Sequence, residues 1–593
     1  MVLASVHKAV GCAVLALAAA VAGCGGSSGG SASGGGVGAS AGGGSWRAGQ
    51  FLPASTFAGK CVNPRSGTDP QTGLPYNETR GTATDENNFL RSWSNDLYLW
   101  YNEIVDRDPG QYTTPEYFDL LKTPVITASG APKDKFHFTY STADWLALSQ
   151  SGVEAGYGAL WAVVANLPPR RVVVAYTEPG SPAAASAAFT RGAEVLRIDD
   201  VDVVNSTTQA EIDVFVAGLY PESTGEQHTF VTRDRFGAQR TVTLTSAAVT
   251  KTPVPVSNVL NFSGRRVGYL LFNDHILTAE QPLIAAINQM RTPIVDDLVL
   301  DLRYNGGGYL FLASELAYMI AGDARTSGQT FEKLQFNDKH PVDPFTGQAL
   351  TPLPFLNTSS SNQPLPTLNL SRVFVLTGGT TCSASESIIN ALRGVGVQVV
   401  QIGSTTCGKP YGFYPEDNCG TTYFSIQFKG VNAAGFGDYT DGFSPSNAPG
   451  SGGTRVPGQG CSAADDFNDD LGAVTEDRLQ AALNQTTGGV CPAPTGRKPS
   501  FTKPANDATA EEPDVVVQKS PLLMNRILEA PWALPSARAG SRRLRSRPFR
   551  AARCRRKSSP PSSRRPRRRA EPSSCASCRP RSTVNPSRWP TTR

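Results

Sequence analysis

A serine that precedes an expected helix is the first residue that could do chemistry. Ser383 follows an apolar, β-branched stretch, Arg372–Thr377, which predicts a buried strand, and Gly378 and Gly379 end that stretch. The residues after Ser383 have the apolar face of a helix, which we expect to end near Gly394. A hydroxyl at this place meets the N–H groups and the positive dipole end of the helix, which would stabilise an oxyanion. An ordinary serine N-cap has the same pattern.

The residues around this serine resemble the active-site motif of the C-terminal processing (tail-specific) peptidases. The motif is Ser-Ala-Ser-Glu at 383–386, and Lys409 follows 26 residues after the first serine in a Gly-Lys pair. The resemblance implies that Ser383 is the nucleophile and Lys409 the general base of a serine-type peptidase. A lysine base must be neutral, so we expect burial to bring the pKa of Lys409 from ~10.4 toward ~7–8.

A second motif of the same family lies upstream, in the pattern Asp-Leu-Arg-x-Asn-x-Gly-Gly that begins at Asp301. We expect a strand at 297–303, a glycine-rich turn and a helix at 310–320. The resemblance implies that the backbone N–H groups of Gly307 and Ala384 form the oxyanion hole. A nucleotide-binding loop fits poorly, because no Lys-Ser/Thr pair follows the glycines.

The sequence departs from this family where a third catalytic residue is expected. Some members have an acidic residue where this chain has Gly394, and others have a glutamine where it has Phe413. Glu416 is one candidate for the residue that orients the lysine. The related tricorn-type peptidases use a histidine from ahead of the PDZ domain, so His137 is an alternative base, although it stands one place off the expected Asp-x-His pattern.

Residues 151–252 resemble a PDZ domain. The resemblance rests on a glycine loop, two expected strands and two downstream motifs: Gly156-Tyr157-Gly158, 160–165, 170–177, Pro179–Ala183 and Arg191–Asp199. In PDZ domains this loop offers N–H groups to a peptide carboxylate, and the peptide adds as a strand to the sheet edge. The resemblance therefore implies that Gly156, Tyr157 and Gly158 bind the C-termini of polypeptide substrates.

The N-terminus resembles a bacterial lipoprotein signal. A lysine at position 8 precedes an apolar stretch from Ala9 to Ala22, which is too short for a comfortable membrane span. Small residues then lead to Cys24, which the resemblance makes the lipidated first residue of the mature protein. A plain secretory signal or a short anchor helix is the alternative. We expect the protein in the bacterial cell envelope, attached to a membrane through Cys24.

Export permits disulfide bonds. Six cysteines lie between the lipoprotein motif and the C-terminal tail: Cys61, Cys382, Cys407, Cys419, Cys461 and Cys491. Six cysteines allow fifteen pairings, and the local choices are Cys407 with Cys419 and Cys461 with Cys491. We expect no zinc site, because no Cys-x-x-Cys or nearby histidine accompanies them, and no other metal or cofactor. The acidic cluster that begins at Asp465 lacks the order of a calcium loop and predicts a solvated surface.

The formal net charge of +5 divides unevenly along the chain. From Pro535 to Arg593 there are 19 Lys and Arg residues against one acidic residue, so the rest of the chain is acidic. The tail is rich in Arg, Pro and Ser without apolar periodicity and cannot bury a core. Binding of anionic lipid or nucleic acid, disorder, and out-of-frame translation are the alternatives. The abrupt change of composition favours out-of-frame translation, so we assign the tail no function and expect no nucleic-acid partner.

We predict a multi-domain α/β protein with a helical N-terminal region, a PDZ-like β-rich domain and an α/β catalytic core of the protease/crotonase-like type. The expected order is a signal at 1–23, a Gly/Ser tether at 24–45, the helical region at 46–150, the PDZ-like domain at 151–252, the catalytic domain at 253–490, a polar linker at 491–534 and the basic tail at 535–593. The predicted function is an envelope serine endopeptidase that acts near polypeptide C-termini. A non-catalytic PDZ-bearing scaffold, and a transacylase or esterase on the same nucleophile, are the alternatives.

Overall fold

The computed structural model describes residues 46–127, 130–448, 454–455, 460–492, 516–518 and 526–527. At 454–455, 516–518 and 526–527 only the backbone is described. Cys24, the signal, the tether and the basic tail lie outside the described residues, so those predictions stay predictions. Among the helices that are described, none is long and apolar enough to cross a membrane.

The N-terminal region is mainly helical, as its amphipathic pattern predicts. Helix α1 begins after Thr82, whose hydroxyl accepts from the Asp85 N–H in a capping box. Trp93 and Leu97 pack into a core with the aromatic residues of α2. The elements of this region are β1 (Lys60–Cys61), β2 (Thr79–Arg80), α1 (Ala83–Leu97), α2 (Thr114–Leu120), β3 (Phe138–Ser141) and α3 (Thr142–Ser151).

A β-rich region follows, with one helix packed on its sheet. Its elements are β4 (Val153–Gly156), β5 (Ala159–Ala165), β6 (Arg171–Thr177), β7 (Glu194–Ile198), β8 (Val201–Asp202), α4 (Gln209–Leu219), β9 (Gln227–Arg233), β10 (Gln239–Thr245) and β11 (Ala247–Thr250). The strands β10, β9, β7, β6 and β5 are neighbours in that order, and β8 pairs with β7. Trp161, Phe189 and Phe230 stack in the core beneath them.

The remaining residues build an α/β region around one central sheet. Its elements are β12 (Val256–Phe262), β13 (Arg265–Leu271), α5 (Glu280–Met290), β14 (Asp297–Asp301), β15 (Gly308–Tyr309), α6 (Leu310–Ala321), α7 (Asp323–Thr326), β16 (Thr330–Gln335), β17 (Leu353–Pro354), β18 (Arg372–Thr377), α8 (Ala384–Gly394), β19 (Gln398–Gly403), β20 (Tyr411–Gly412), β21 (Glu416–Asn418), β22 (Thr421–Phe424), β23 (Phe428–Val431), β24 (Phe443–Ser444), β25 (Thr454–Arg455), β26 (Gly460–Ser462) and α9 (Asp477–Thr486), followed by β27 (Val516–Gln518) and β28 (Arg526–Ile527).

The central sheet has the order β12-β13-β14-β18-β19-β26. Strands β13, β14, β18, β19 and β26 run parallel, and only β12 is antiparallel to its neighbour. Alternate side chains of a strand point to opposite faces. Accordingly Val373 and Val375 of β18 enter the core with α5, α6 and α8, whereas Phe374 and Leu376 pack toward α9. Helices cover both faces, as the continuous apolar strands predict.

The predicted α/β fold class is confirmed. The alternating stretch 421–429 forms parts of two strands, β22 and β23. Helix α9 is capped by Glu476, whose carboxylate accepts from the Leu479 N–H.

Candidate active site

The candidate site is assembled from the segments that follow four neighbouring parallel strands. The segment after β13 carries His275, that after β14 carries Asn305 and the three glycines, that after β18 carries Ser383, and that after β19 carries Lys409. The C-terminal ends of parallel strands share one edge of the sheet, where open α/β sheets bind ligands. Since β18 lies between β14 and β19, the Ser383 segment lies between the glycine loop and the lysine loop.

Ser383 is fully buried and has an unusual backbone conformation. It stands immediately before α8, with φ 59° and ψ −114°. A positive φ is rare for a residue with a Cβ, and such conformations cost of order 1–3 kcal/mol. An ordinary N-cap residue has an extended backbone with negative φ. This difference favours a functional serine over the plain capping role that the sequence left open.

The Glu386 carboxylate joins the nucleophile segment to the lysine loop. One oxygen accepts from the backbone N–H groups of Ser383 at 2.9 Å and Lys409 at 2.8 Å. The other accepts from the Thr406 hydroxyl at 2.5 Å and the Gly408 N–H at 2.9 Å. Burial raises the pKa of Glu386, and these hydrogen bonds oppose the rise. Glu386 was quoted in the sequence motif without a role, and the structure gives it a positioning role.

A disulfide bond makes a second link between the same two segments. Cys382, next to Ser383, is bonded to Cys407, two residues before Lys409. The predicted pair Cys407–Cys419 is therefore wrong, because Cys419 pairs with Cys61 from the N-terminal region. The predicted pair Cys461–Cys491 is confirmed. Cys382, Glu386 and Cys407 are close enough to hold a metal ion, but the sulfur atoms already bonded to each other are not thiolate ligands.

The Lys409 side chain is buried among aromatic rings. Its Nζ lies 4.7 Å from the ring centroid of Phe136 and 4.6 Å from that of Phe413. Phe413 occupies the position where some relatives have glutamine, so an apolar ring stands where a polar partner was expected. A second lysine, Lys135, reaches the same loop and donates to the Cys407 carbonyl at 2.9 Å. The sequence pattern gave no reason to select Lys135.

Asn305 organises the glycine loop. Its Oδ1 accepts from the Gly307 N–H at 3.0 Å and lies 2.9 Å from His275 Nδ1. Its backbone carbonyl accepts from the Cys382 N–H and the Ser385 hydroxyl. The carried-over oxyanion donor, the Gly307 N–H, is therefore already engaged by a side chain of its own loop. Ala384, the other predicted donor, is the first residue of α8, where helix N–H groups lack intrahelical partners.

The backbone N–H of Gly308 lies on the side of the glycine loop that faces away from His275. The Gly307 carbonyl accepts from the His275 N–H, and the Tyr309 N–H donates to the His275 carbonyl. The N–H and C=O of a trans peptide point in opposite directions, so the Gly308 N–H points away from His275. His275 and Asn305 were not singled out from the sequence, because their proximity depends on the sheet order.

The two alternative catalytic residues lie in other environments. His137 is buried in the N-terminal core, where its ring stacks on Phe118 and its Nε2 lies 2.8 Å from the Phe118 carbonyl. Burial lowers the pKa of His137. Glu416 lies on β21 opposite Tyr423. The His137 contacts are those of a packing residue, whereas Glu416 stays a prediction.

The predicted peptide-binding loop lies at the start of β5. Tyr157 is buried, and its carbonyl accepts from the Ala183 N–H. Gly158 has φ +75°, and a Cβ there would come within 2.2 Å of the Ser181 side chain, so a glycine is required. The loop turns the chain from β4 into β5, and β27 pairs with β5 on the side that faces away from β6.

The acidic cluster near 465 is a solvated surface only in part: Asp470 is exposed, but the Asp465 side chain and Asp466 are buried, contrary to the prediction. Asp465 accepts from Arg303 and Arg191, each at 2.8 Å. The side chains of all three residues are nearly inaccessible to solvent. The two guanidinium groups lower the pKa of Asp465 despite its burial. Arg303, in the Asp-Leu-Arg motif, also binds Glu476, so part of this motif serves to anchor the β-rich region through Arg191.

Comparison with known proteins agrees with this geometry. Residues 266–412, which include the glycine loop, Ser383 and Lys409, match Peptidase family S41. The carboxyl-terminal-processing protease of Picosynechococcus sp. is 27% identical over 231 residues, which are 39% of this chain and 49% of the relative. The chain thus spans about half the length of the curated relative it matches.

Two solved structures are also similar. An S41 protease from Bacteroides fragilis has 22% sequence identity and a TM-score of 0.49, covering 68% of this chain and 97% of the other. The photosystem II D1 C-terminal processing protease has 19% identity and a TM-score of 0.38, covering 64% of this chain and 94% of the other. The family match contains both sequence motifs and all four site segments, so residues 266–412 correspond to a Peptidase family S41 domain.

Proposed function

We propose that the protein is a serine-type peptidase that hydrolyses flexible polypeptides near their C-termini, with Ser383 as nucleophile and Lys409 as general base. One observation carries the proposal. Within the segment that matches the S41 family, a buried serine with positive φ precedes α8, and the backbone of a buried lysine is fixed to it through Glu386. The carboxyl-terminal-processing relative supports the proposal that cleavage occurs near the C-terminus of the substrate.

The reaction starts with attack of Ser383 Oγ on the scissile carbonyl while Lys409 Nζ takes the hydroxyl proton. The resulting oxyanion is stabilised by N–H donors at the start of α8, with Ala384 first among them. Lys409 then gives its proton to the leaving amine, which departs as the acyl-enzyme forms. Water hydrolyses the acyl-enzyme with Lys409 again as base. Every proton in this cycle passes through one side chain, which the Phe136 and Phe413 rings shield from bulk water.

The glycine loop supplies the second oxyanion donor. If the donor is the Gly307 N–H, as the resemblance implies, Asn305 Oδ1 must release it when substrate binds. The Gly308 N–H is the neighbouring candidate, since it points away from His275. Both assignments place the oxyanion between the β14 loop and the N-terminus of α8. An Asn305→Ala variant separates them, because only a Gly307 donor depends on release by the asparagine.

Substrate capture is assigned to the β-rich region. The Gly156–Gly158 loop would receive the terminal carboxylate, and the peptide would add to the side of β5 that faces away from β6, where β27 pairs in this structure. Attachment of Cys24 to a lipid would hold the enzyme at the envelope membrane, where unfolded exported polypeptides are available.

The proposal is tested by cleavage of an unfolded reporter polypeptide with the full chain. The Ser383→Ala and Lys409→Ala variants should each lose more than about 10³-fold in kcat, while the exposed control Lys429→Ala keeps parental activity. Amidation of the reporter's C-terminus should raise KM. A folded parent that cleaves no reporter contradicts the proposal. Full activity of Lys409→Ala together with loss in Lys135→Ala would move the base to Lys135.

A further inference from the structure

Residues 516–518, which form β27, lie beside β5 on the side that faces away from β6. Strand β27 pairs antiparallel with it, so that Val516 lies opposite Val163, Val517 opposite Ala162 and Gln518 opposite Trp161. The local sequence has three consecutive valines from 515 to 517, which favour a strand. β27 therefore completes the edge on which an added peptide strand would bind.

The direction of β27 is that of a peptide approaching the carboxylate loop. Because the pairing is antiparallel, the direction from Val516 to Gln518 runs along β5 from Val163 to Trp161, toward the Gly156–Gly158 loop. A peptide bound in this direction and ending near the start of β5 would bring its terminal carboxylate to the loop. In the intact chain no carboxylate is present there, because the chain continues to residue 593.

A second C-terminal strand lies at the candidate catalytic site. Strand β28 pairs parallel with β15, with Arg526 opposite Gly308 and Ile527 opposite Tyr309. It also contacts β20, which begins two residues after Lys409. The His275 backbone occupies the other side of β15, so β28 takes the side toward which the Gly308 N–H points. Backbone pairing next to the glycine loop is the position expected of a bound polypeptide.

We propose that β27 and β28 are an internal ligand of the peptide path: the chain occupies its own β5 edge and its own β15–β20 cleft, and polypeptides from outside must displace it. The inference rests on the proposed function, which identifies these two places as the path of a substrate polypeptide. It adds that the chain itself is the first occupant of that path. A substrate held by its terminal carboxylate would contact the cleft with residues that precede those on the β5 edge. Since β27 precedes β28, the chain occupies the two places in the opposite order and blocks them without being a substrate.

Tethering makes weak pairing sufficient. A segment joined to its binding site has an effective concentration of order mM, so it competes with free peptides even when its intrinsic affinity is modest. If the docked state is populated about 90% of the time, the apparent affinity for an outside peptide falls about tenfold. Removing the pairing should therefore strengthen outside binding without altering the site itself.

Docking is tested first by hydrogen exchange on the full chain carrying Ser383→Ala, which prevents turnover. One variant adds Val516→Pro and Val517→Pro, and another adds Arg526→Pro and Ile527→Pro. Successive N–H groups of a strand point to alternate sides, so one proline of each adjacent pair removes an N–H that faces the partner strand. Amides of 159–165 should exchange at least about tenfold faster in the first variant, and those of 308–309 and 411–412 in the second.

The matched control replaces Ala508 and Thr509 with proline, a pair that lies outside both paired stretches. It should exchange like the Ser383→Ala parent at all three places. Exchange that is equal in the parent, the control and both variants overturns the proposal.

Competition is tested with a labelled peptide that copies residues 511–520 and ends in a free carboxylate. The Val516→Pro/Val517→Pro variant should bind it about tenfold more tightly than the Ser383→Ala parent, and the Ala508→Pro/Thr509→Pro control should match that parent. Equal affinity for parent and variant overturns competition even if exchange shows docking. Both readouts are independent of catalysis, so a failed peptidase assay and a failed docking test are separate results.

Discussion

The Glu386 carboxylate accepts a hydrogen bond from the backbone N–H of Lys409 at 2.8 Å, across a sequence distance of 23 residues. The same oxygen accepts from the Ser383 N–H. A single buried oxygen thus sets the spacing between the two proposed catalytic residues. Glu386 touches their backbones and not the reacting atoms, so it is a positioning residue. This contact, the Cys382–Cys407 disulfide and the buried side chains of Glu315 and Arg191 each lead to a testable prediction.

Replacing Glu386 by Gln should lower kcat about 10–100-fold with a smaller change in KM. The glutamine amide nitrogen cannot accept, so either the Gly408 N–H or both the Ser383 and Lys409 N–H groups lose their acceptor. Steady-state kinetics on the reporter peptide and a melting curve measure the effect. The exposed Glu222→Gln is the control and should change kcat less than about threefold. Equal losses of kcat in both variants would contradict the positioning role of Glu386.

Loss of the Cys382–Cys407 disulfide should reduce activity more than stability alone explains. The matched control is the Cys461–Cys491 pair, because the sequence separations are similar, 25 and 30 residues. Each bond constrains the unfolded chain by about 3–4 kcal/mol in the loop-entropy description. Double Cys→Ser variants should therefore lose comparable stability, measured by chemical denaturation. Only Cys382→Ser/Cys407→Ser should also lower kcat at a temperature where both remain folded.

Glu315 should make the folded state less stable as the pH rises. Burial, with the Glu280 carboxylate nearby, raises its pKa from 4.5 to about 9. A raised pKa in the folded state means that its contribution is fully present below pH 4.5 and is lost as the pH rises toward 9. Glu315→Gln has nearly the shape of the neutral carboxyl group and does not ionise. The free energy of unfolding of this variant should therefore exceed that of the parent by an amount that grows by up to about 1.4 kcal/mol per pH unit in this window.

Urea denaturation at pH 5, 7 and 8.5 measures this trend. The exposed control Glu222→Gln should stay within about 0.5 kcal/mol of the parent at each pH. A pH-independent difference for Glu315→Gln would show that the residue is ionised in the folded protein.

Arg191 should be required for attachment of the β-rich region to the catalytic region. Its guanidinium binds Asp465, the Tyr304 hydroxyl and the Ala175 carbonyl. Arg191→Met leaves Asp465 with one fewer cation in a buried site, which costs about 3–5 kcal/mol when a buried pair is broken. Thermal denaturation should show a large fall in Tm. The exposed pair Arg233–Glu194 gives the control Arg233→Met, which should cost at most about 1 kcal/mol.

The local sequence was enough to predict those elements that depend on short-range patterns. The strand Arg372–Thr377 was predicted with its observed bounds, because a continuous apolar run between polar and glycine residues specifies a buried strand. Helices α5, α6 and α8 were predicted to within a few residues for the same reason. The serine–lysine pair was recognised because its motif is contiguous around each residue.

The tertiary structure decided everything that depends on which segments become neighbours. Glu386 was visible in the motif, yet its role depends on the order β18-β19, which brings the lysine loop to α8. The disulfide partner of Cys407 is Cys382 and not the nearer Cys419, because the parallel strands align the loops that follow them. Asp465 is buried because two arginines from distant segments converge on it. Spacing along the chain encodes helices and strands, whereas these contacts arise from sheet order, which a single sequence does not specify.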